Sequence, residues 1–199
     1  MPKTMVMLSA ADQGRLMSLA EFDQAFAQEG LRFELGRGVV TVIDVPGRKH
    51  LAQVNALRRQ IHAYDATHSG VIHTIAGSSE CKVLVAGFES ERHPDVAIYK
   101  APPPRQENFW ATWIPEIVVE VVSPGGEQRD YVEKRDEYLE FGITEYWIFD
   151  AARREMRVLT RSAGRWTEQV VKPSETHASP LLPGCEIDCG AVFAAADNS

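Results

Sequence analysis

Disulfides, a membrane span and a strongly basic balance are all missing from this sequence. Its 199 residues hold three cysteines, Cys81, Cys185 and Cys189. That odd number, without the dense spacing of a disulfide framework, points to reduced thiols in a cytoplasm. The Cys185-x-x-x-Cys189 pair, with His177 nearby, lacks the second pair that a structural zinc site needs. No stretch approaches the roughly 20 apolar residues required to span a bilayer. The opening MPKTMVMLSAADQG carries an apolar run too short and too weakly flanked for a signal peptide. Lys and Arg number 21 against 28 Asp and Glu, a net charge of -7. This argues against a protein that coats nucleic acid through bulk positive charge, but not against one that meets it through a local patch. There is also no G-x-x-x-x-G-K-[ST], no G-x-G-x-x-G, no H-E-x-x-H and no G-x-S-x-G. P-loop nucleotide hydrolysis, zinc proteolysis and α/β-hydrolase chemistry are therefore disfavoured, which leaves metal chemistry built on acids and a lysine.

A hydrophobic share of 44% and a charged share of 25% are those of a globular protein. The length fits a single domain over residues 1–199, with a core from about 18 to 190. Ser18-Leu-Ala-Glu21 is a capping-box pattern that opens a helix, with Leu19, Phe22, Ala25 and Phe26 on one face and Gly30 as its stop. Residues 31–35 and 39–45 read as two strands joined by Gly36-Arg37-Gly38. A second helix runs from about Lys49 to Ala66, with Leu51, Val54, Leu57, Ile61 and Tyr64 at helical spacing. Residues 71–76, 81–86 and 96–99 are strand candidates, the last two separated by a connection from Gly87 to Pro94. A proline-rich loop then reaches Trp113, long enough for a flap or an interaction surface.

The most strand-like run is 114–122, apolar at both parities and hence a central strand buried on both faces. Residues 131–141 read as a helix ended by Gly142, and 145–149 as a further strand of the sheet. Residues 156–160 and 166–170 form a late hairpin turning at Gly164, and Leu181-Leu-Pro-Gly-Cys-Glu-Ile-Asp is a final docking segment. Together these elements give a mixed α/β domain.

Within this frame Glu120 demands explanation, because a lone carboxylate between Ile117-Val118-Val119 and Val121-Val122 is costly unless paired or bound to a cation. Asp95 follows Pro94 directly before a strand; on its own it reads as a turn acid. Two acids at adjacent strand positions would instead make an oxygen-rich pocket suited to Mg²⁺. Asp130, Lys134 and Tyr138 recur at i, i+4, i+8 on one helix face, which a short connection hangs over the end of the Glu120 strand. Glu34 lies in an early strand, where a solvated acid is the plainer reading. His50 opens the second helix, as a cap or a phosphate contact.

These residues form an ordered set: His93-Pro94-Asp95-Val96; Pro115-Glu-Ile-Val-Val-Glu120-Val-Val-Ser-Pro124; Asp130-x-x-x-Lys134-x-x-x-Tyr138; and Gly142-Ile-Thr-Glu-Tyr-Trp147-Ile-Phe-Asp150. The set resembles the Uma family of restriction endonucleases, long filed as a bacterial domain of unknown function and assigned to the PD-(D/E)XK nuclease superfamily. The resemblance runs from Phe33-Glu34-Leu35 to Leu182-Pro-Gly184. It implies a restriction endonuclease-like fold, a central mixed sheet flanked by helices, with an N-terminal helix and hairpin. It further implies Asp95 as the aspartate of the PD motif and Glu120 as the acid of the second motif. Val122 stands where the superfamily pattern has lysine, and the resemblance implies that Lys134 of the next helix supplies it. Glu34 matches the extra acid that the superfamily takes from its N-terminal part.

The implied chemistry is an endodeoxyribonuclease in which Asp95 and Glu120, with Glu34, hold one or two Mg²⁺ ions beside a scissile phosphate, Mn²⁺ substituting. Lys134 would orient water or neutralise a phosphate oxygen, Asp130 would fix Lys134, and Tyr138 would pack or touch phosphate. Restriction-like enzymes that cut two strands need two sites, so a cytoplasmic homodimer on DNA is expected, with no membrane partner. Residues 127–150 carry three basic groups against eight acids. The basic patch is therefore expected on the late hairpin (Arg153, Arg154, Arg157, Arg161, Arg165), or on Arg48, Lys49, Arg58 and Arg59 of the second helix. One rival is a catalytically silent nuclease-like scaffold that binds nucleic acid or protein through an exposed Phe109, Trp110 and Trp113. The other is a hydrolase of some different phosphodiester.

Overall fold

The computed structural model describes residues 6–43 and 45–199. The first five residues of the opening segment, and Asp44 in the strand expected over 39–45, lie outside them. Strand β1 (Met7–Leu8), helix α1 (Leu19–Phe22) and strand β2 (Phe26–Ala27) come first, β1 and β2 pairing in parallel. The capping box at Ser18 is present, with Ser18 N donating to Glu21 Oε2 at 2.8 Å. The helix, however, lasts one turn and does not reach Gly30. Phe26 N donates to Val6 O and Gln28 N to Leu8 O, so strand pairing takes the backbone groups that a longer helix would have used.

Strands β3 (Arg32–Gly36) and β4 (Val39–Ile43) form the predicted hairpin. Arg37 and Gly38 both lie in the left-handed region, φ 51° and 76°, as a two-residue turn matched to strand twist requires. Helix α2 (Arg48–Thr67) buries Leu57, Ile61 and Tyr64. Then come β5 (Thr74–Ala76), β6 (Val83–Val85), β7 (Ser90–Arg92), β8 (Val96–Tyr99) and β9 (Ile117–Val121). β7 occupies the stretch expected to be a connection; its three residues are polar yet buried, a pattern that hydrophobic periodicity does not detect. A wide π-turn over Arg129–Glu133 leads into α3 (Lys134–Phe141), which ends at Gly142 with φ 98°. The chain closes through β10 (Glu145–Asp150), β11 (Glu155–Ser162), β12 (Arg165–Val171), β13 (Thr176–Ala178), β14 (Glu186–Asp188) and α4 (Cys189–Asp197).

The main sheet has the order β12-β11-β10-β9-β8-β5, parallel only between β9 and β10, and a second sheet runs β4-β3-β7-β6. β9 is central and wholly buried. Its residues Ile117, Val119 and Val121 pack with Leu57 and Ile61 of α2 and Val192 and Phe193 of α4. Val118 faces the opposite way, with Tyr138 of α3 and Val83 and Val85 of β6. This alternation puts Glu120 on the α3 side. The final docking segment thus becomes β14 plus a helix that completes the layer beneath the sheet. Cys81, Cys185 and Cys189 are buried free thiols, and burial pushes Cys81 up to about 12.

The aromatic loop packs on the sheet. Trp113 is buried and stacks on Tyr99 at 3.8 Å, and its Nε1 donates to Ala101 O at 2.9 Å. Phe109 and Trp110 are partly buried against this pair, so these rings favour a structural role over an exposed binding surface. Among the described residues, no helix is long and apolar enough to cross a membrane.

Candidate active site

β8 and β9 run antiparallel with Val96 opposite Val119. Extending that register by one residue sets Asp95 opposite Glu120, both on the α3 side of the sheet. The pair lines a cleft of about 310 Å³ between the two sheets, and Glu34, His50, Asp130 and Lys134 line it too. Six of the seven residues singled out in the sequence therefore share one cavity. The seventh, Tyr138, lies fully buried behind Glu120 and donates its hydroxyl to Glu120 Oε1 at 2.6 Å. Burial rules out direct contact between Tyr138 and a phosphate, leaving it to fix the carboxylate.

Lys134 reaches Glu120 Oε1 at 2.8 Å and Asp130 Oδ1 at 3.2 Å, with all three side chains 4% exposed or less. The π-turn contributes to this meeting: Lys134 N donates to Arg129 O, and the widened backbone sets Asp130 and Lys134 together against β9. Asp95 is held by two donors on opposite oxygens. His50 Nε2 lies 2.9 Å from Oδ1, and Val121 N donates to Oδ2 at 2.8 Å. Ser123 Oγ sits 3.1 Å from His50 Nδ1, so the start of α2 and the end of β9 meet through that imidazole. Gly77 packs so closely on this strand start that a Cβ there would overlap the Asp95 carbonyl oxygen.

One residue that sequence reasoning left out, and one whose partner it did not find, shape the site. Arg92, from the unpredicted β7, is fully buried and forks onto Glu137 at 2.7 and 3.0 Å. It also reaches Glu133 at 3.2 Å and Glu34 at 3.4 Å. Glu34 further accepts from His93 N at 3.0 Å. His50 was noted only as a cap or phosphate contact; its 45-residue separation from Asp95 leaves no local signal.

The electrostatics follow from four acids in one dry wall. Burial raises the Glu120 carboxyl. Lys134 opposes this, but Asp95, Asp130 and Glu34 add to it, and the group stands at about 7. Burial alone would raise Glu34 as well, but Lys134, Arg92 and the His93 amide bring it down to about 2. His50 is disfavoured as a cation by burial, yet its bond to Asp95 and the charges of Asp95, Glu120 and Asp130 raise it overall. Lys134 is likewise raised, its acidic neighbours outweighing burial.

The fit to a divalent cation can be tested on this donor set. Among the described residues, no three His, Cys, Asp or Glu side chains converge closely enough to hold an ion by themselves. Mg²⁺ does not need three, since one or two carboxylates with substrate phosphate and water suffice. Asp95 and Glu120 meet that requirement with hard oxygens in an acid-rich wall. Asp130 Oδ1 lies 3.2 Å from Lys134 Nζ, the same ammonium that sits 2.8 Å from Glu120 Oε1, so two buried carboxylates share one cation and the wall keeps an excess of acid. The residues fit the ion.

The late hairpin offers less positive charge than its composition suggested. Arg153 pairs with Asp150, Arg154 with Asp197, and Arg157 with both Glu155 and Glu168. Arg58 of α2 pairs with Glu80.

The profile of the Uma2 family, described as "Putative restriction endonuclease", matches residues 19–190. Among solved structures, similarity extends to a "putative nuclease belonging to DUF820 from Anabaena variabilis ATCC 29413", with a TM-score of 0.71 and 17% identity, over 90% of this chain and 99% of that one. At that identity the likeness concerns the fold, a mixed α/β architecture of restriction endonuclease-like type. No curated protein matches the chain.

Proposed function

The chain belongs to the Uma2 restriction endonuclease family, and on that premise we propose that it is a Mg²⁺-dependent endonuclease that hydrolyses phosphodiester bonds in DNA, Mn²⁺ substituting. The observation that carries the proposal is the pair Asp95 and Glu120, opposite in register, facing one cleft with a buried lysine between Glu120 and Asp130. Asp95 and Glu120 would hold the ion. When bound, it supplies Lewis acidity and offsets charge as water attacks phosphorus and the P–O bond to the leaving alcohol breaks.

The chain's own residues do the rest. Lys134, with three N–H donors and only part of them engaged, offers hydrogen bonds to a non-bridging phosphate oxygen. Asp130 holds the Lys134 ammonium at the cleft, and Tyr138 fixes the plane of the Glu120 carboxylate. His50 and the Val121 amide orient Asp95, so neither acid swings when substrate enters. Glu34, drawn to Arg92 and the His93 amide, completes the negative wall and acts on Lys134 through its charge.

The test is nicking of supercoiled plasmid with EDTA, Mg²⁺ and Mn²⁺ in parallel, using wild type and Asp95→Asn. Cleavage that needs metal and disappears in the variant is the expected result; metal-independent cleavage, or none from folded wild type, rejects it. A catalytically silent scaffold is the second reading, favoured by the ion pairs that occupy Arg153, Arg154 and Arg157. The proposed setting is the cytoplasm. The proposed assembly on duplex DNA is a homodimer, so that both strands meet a site, and sedimentation velocity checks it.

A further inference from the structure

The cleft has two unlike walls. One carries the acids, Lys134 and the nearby cations. The other, from β2, the β3–β4 hairpin and the turn before α2, is apolar: Ala27, Leu31, Ile43 and Pro46. These four are exposed or half-buried, and their chain neighbours Phe26, 49% exposed, and Val45, 85% exposed, are apolar too. At the scissile phosphate an intact duplex presents mainly phosphates and sugars and keeps its base faces stacked, out of reach of an apolar wall. The flat face of an unstacked base does gain from it, as in sites that take a nucleotide out of the stack.

Size and charge agree. At about 310 Å³ the cleft lies at the lower end of sites that enclose a small ligand, roughly 300–1,000 Å³. Three of the five arginines of the hairpin, Arg153, Arg154 and Arg157, are engaged in ion pairs, which reduces the basic footprint that would hold duplex DNA by counterion release. Within the cleft itself, Arg129 turns its Nε toward Asp130 Oδ1 at 3.8 Å and keeps its side chain 30% exposed, and Arg32 is tied to Ser78 at the edge. Two guanidiniums suit the phosphates on either side of one inserted nucleotide.

We infer that this cleft takes an unpaired nucleotide, its base against Leu31, Ile43 and Pro46 and its phosphate at Lys134, so that single-stranded DNA or an unpaired flap is cut in preference to intact duplex. The inference rests on the nuclease reading above. One labelled sequence, offered as single strand, as blunt duplex and as a duplex with an unpaired flap, separates the two. Unstacking and unpairing cost a few kcal/mol, so cleavage of single strand and flap should exceed that of duplex by at least about tenfold.

Two further arms bear on the wall itself. Abasic residues across the cleaved stretch should remove the advantage of the single strand. Ile43→Asp, at a half-exposed position, should raise KM for single strand by about tenfold or more with kcat little changed, its fold checked by circular dichroism. Cleavage of duplex equal to that of single strand, or indifference to both the abasic stretch and Ile43→Asp, overturns the inference and leaves the nuclease reading standing. No cleavage of any form by folded wild type in Mg²⁺ or Mn²⁺ overturns both.

Discussion

Replacing Lys134 by methionine removes the ammonium that touches both Glu120 and Asp130 in a wall where each side chain is 4% exposed or less. What remains is the buried carboxylates Glu120, Asp130 and Glu34, with the half-buried Asp95 beside them. Breaking a buried ion pair from one side costs about 3–5 kcal/mol. For a chain of this length that lowers Tm by roughly 6–20 °C. Glu120→Gln acts in the opposite sense. It keeps the shape, keeps an acceptor for Tyr138, and takes one charge from an over-acidic cluster, so it should cost about 1 kcal/mol or less. The double variant should recover most of the loss.

The pH dependence has a definite sign. Lys134→Met moves the folded-state Glu120 still further above its ordinary 4.5, so the folded state retains a proton that the unfolded chain releases. The variant's stability therefore falls as pH rises through that window, and its deficit should shrink at pH 5 relative to pH 8. Urea unfolding followed by circular dichroism at both pH values measures this, with unchanged m-values as the check on compactness. Equal costs for the two single variants, or a Lys134→Met deficit below about 1 kcal/mol at pH 8, would refute the reasoning.

Gly77→Ala puts a methyl into the Asp95 carbonyl, so the strand start must shift at a cost of about 1–3 kcal/mol; calorimetry should show the loss, and Mn²⁺ affinity should fall with it. Tyr138→Phe leaves Glu120 without its 2.6 Å donor, worth roughly 1.5–3 kcal/mol for a bond to a charged group. Cleavage by that variant should drop while the fold survives. Glu34 is held down at about 2, so it contributes stability that is complete above its ordinary 4.5 and lost as pH falls toward 2. Glu34→Gln should flatten the acid limb of the stability profile over that range, and a fully retained limb would contradict the assignment.

The parts of the site legible in the sequence were those with a local signature. Glu120 was visible because an acid interrupts an apolar strand, and Asp130, Lys134 and Tyr138 because helical spacing puts them on one face. Asp95 was visible only with its partner strand in mind. Arg92 was not visible at all. β7 reads as a polar connection, and its partners Glu34 and Glu137 lie 58 and 45 residues away, so nothing nearby announces a buried guanidinium. The short α1 was hidden for a related reason: a sound capping box starts a helix, but the length depends on whether β1 arrives to pair with β2. The arginine-rich hairpin suggested a basic patch because Glu168, which pairs with Arg157, sits across the hairpin's own two strands, and Asp197, which pairs with Arg154, comes from α4 43 residues away. Architecture followed more readily, since the central strand and its flanking helices are written in periodicities that the fold preserves.

An acid-rich wall that costs stability is understandable if a cation belongs there. Titration of the wild-type protein with Mn²⁺, followed by electron paramagnetic resonance at pH 8, addresses that directly. The account predicts saturable binding that is lost in folded Asp95→Asn and that weakens below pH 7, where the Glu120 carboxyl takes up its proton. Wild-type protein that binds no Mn²⁺, or Asp95→Asn that binds it equally well, would contradict the account.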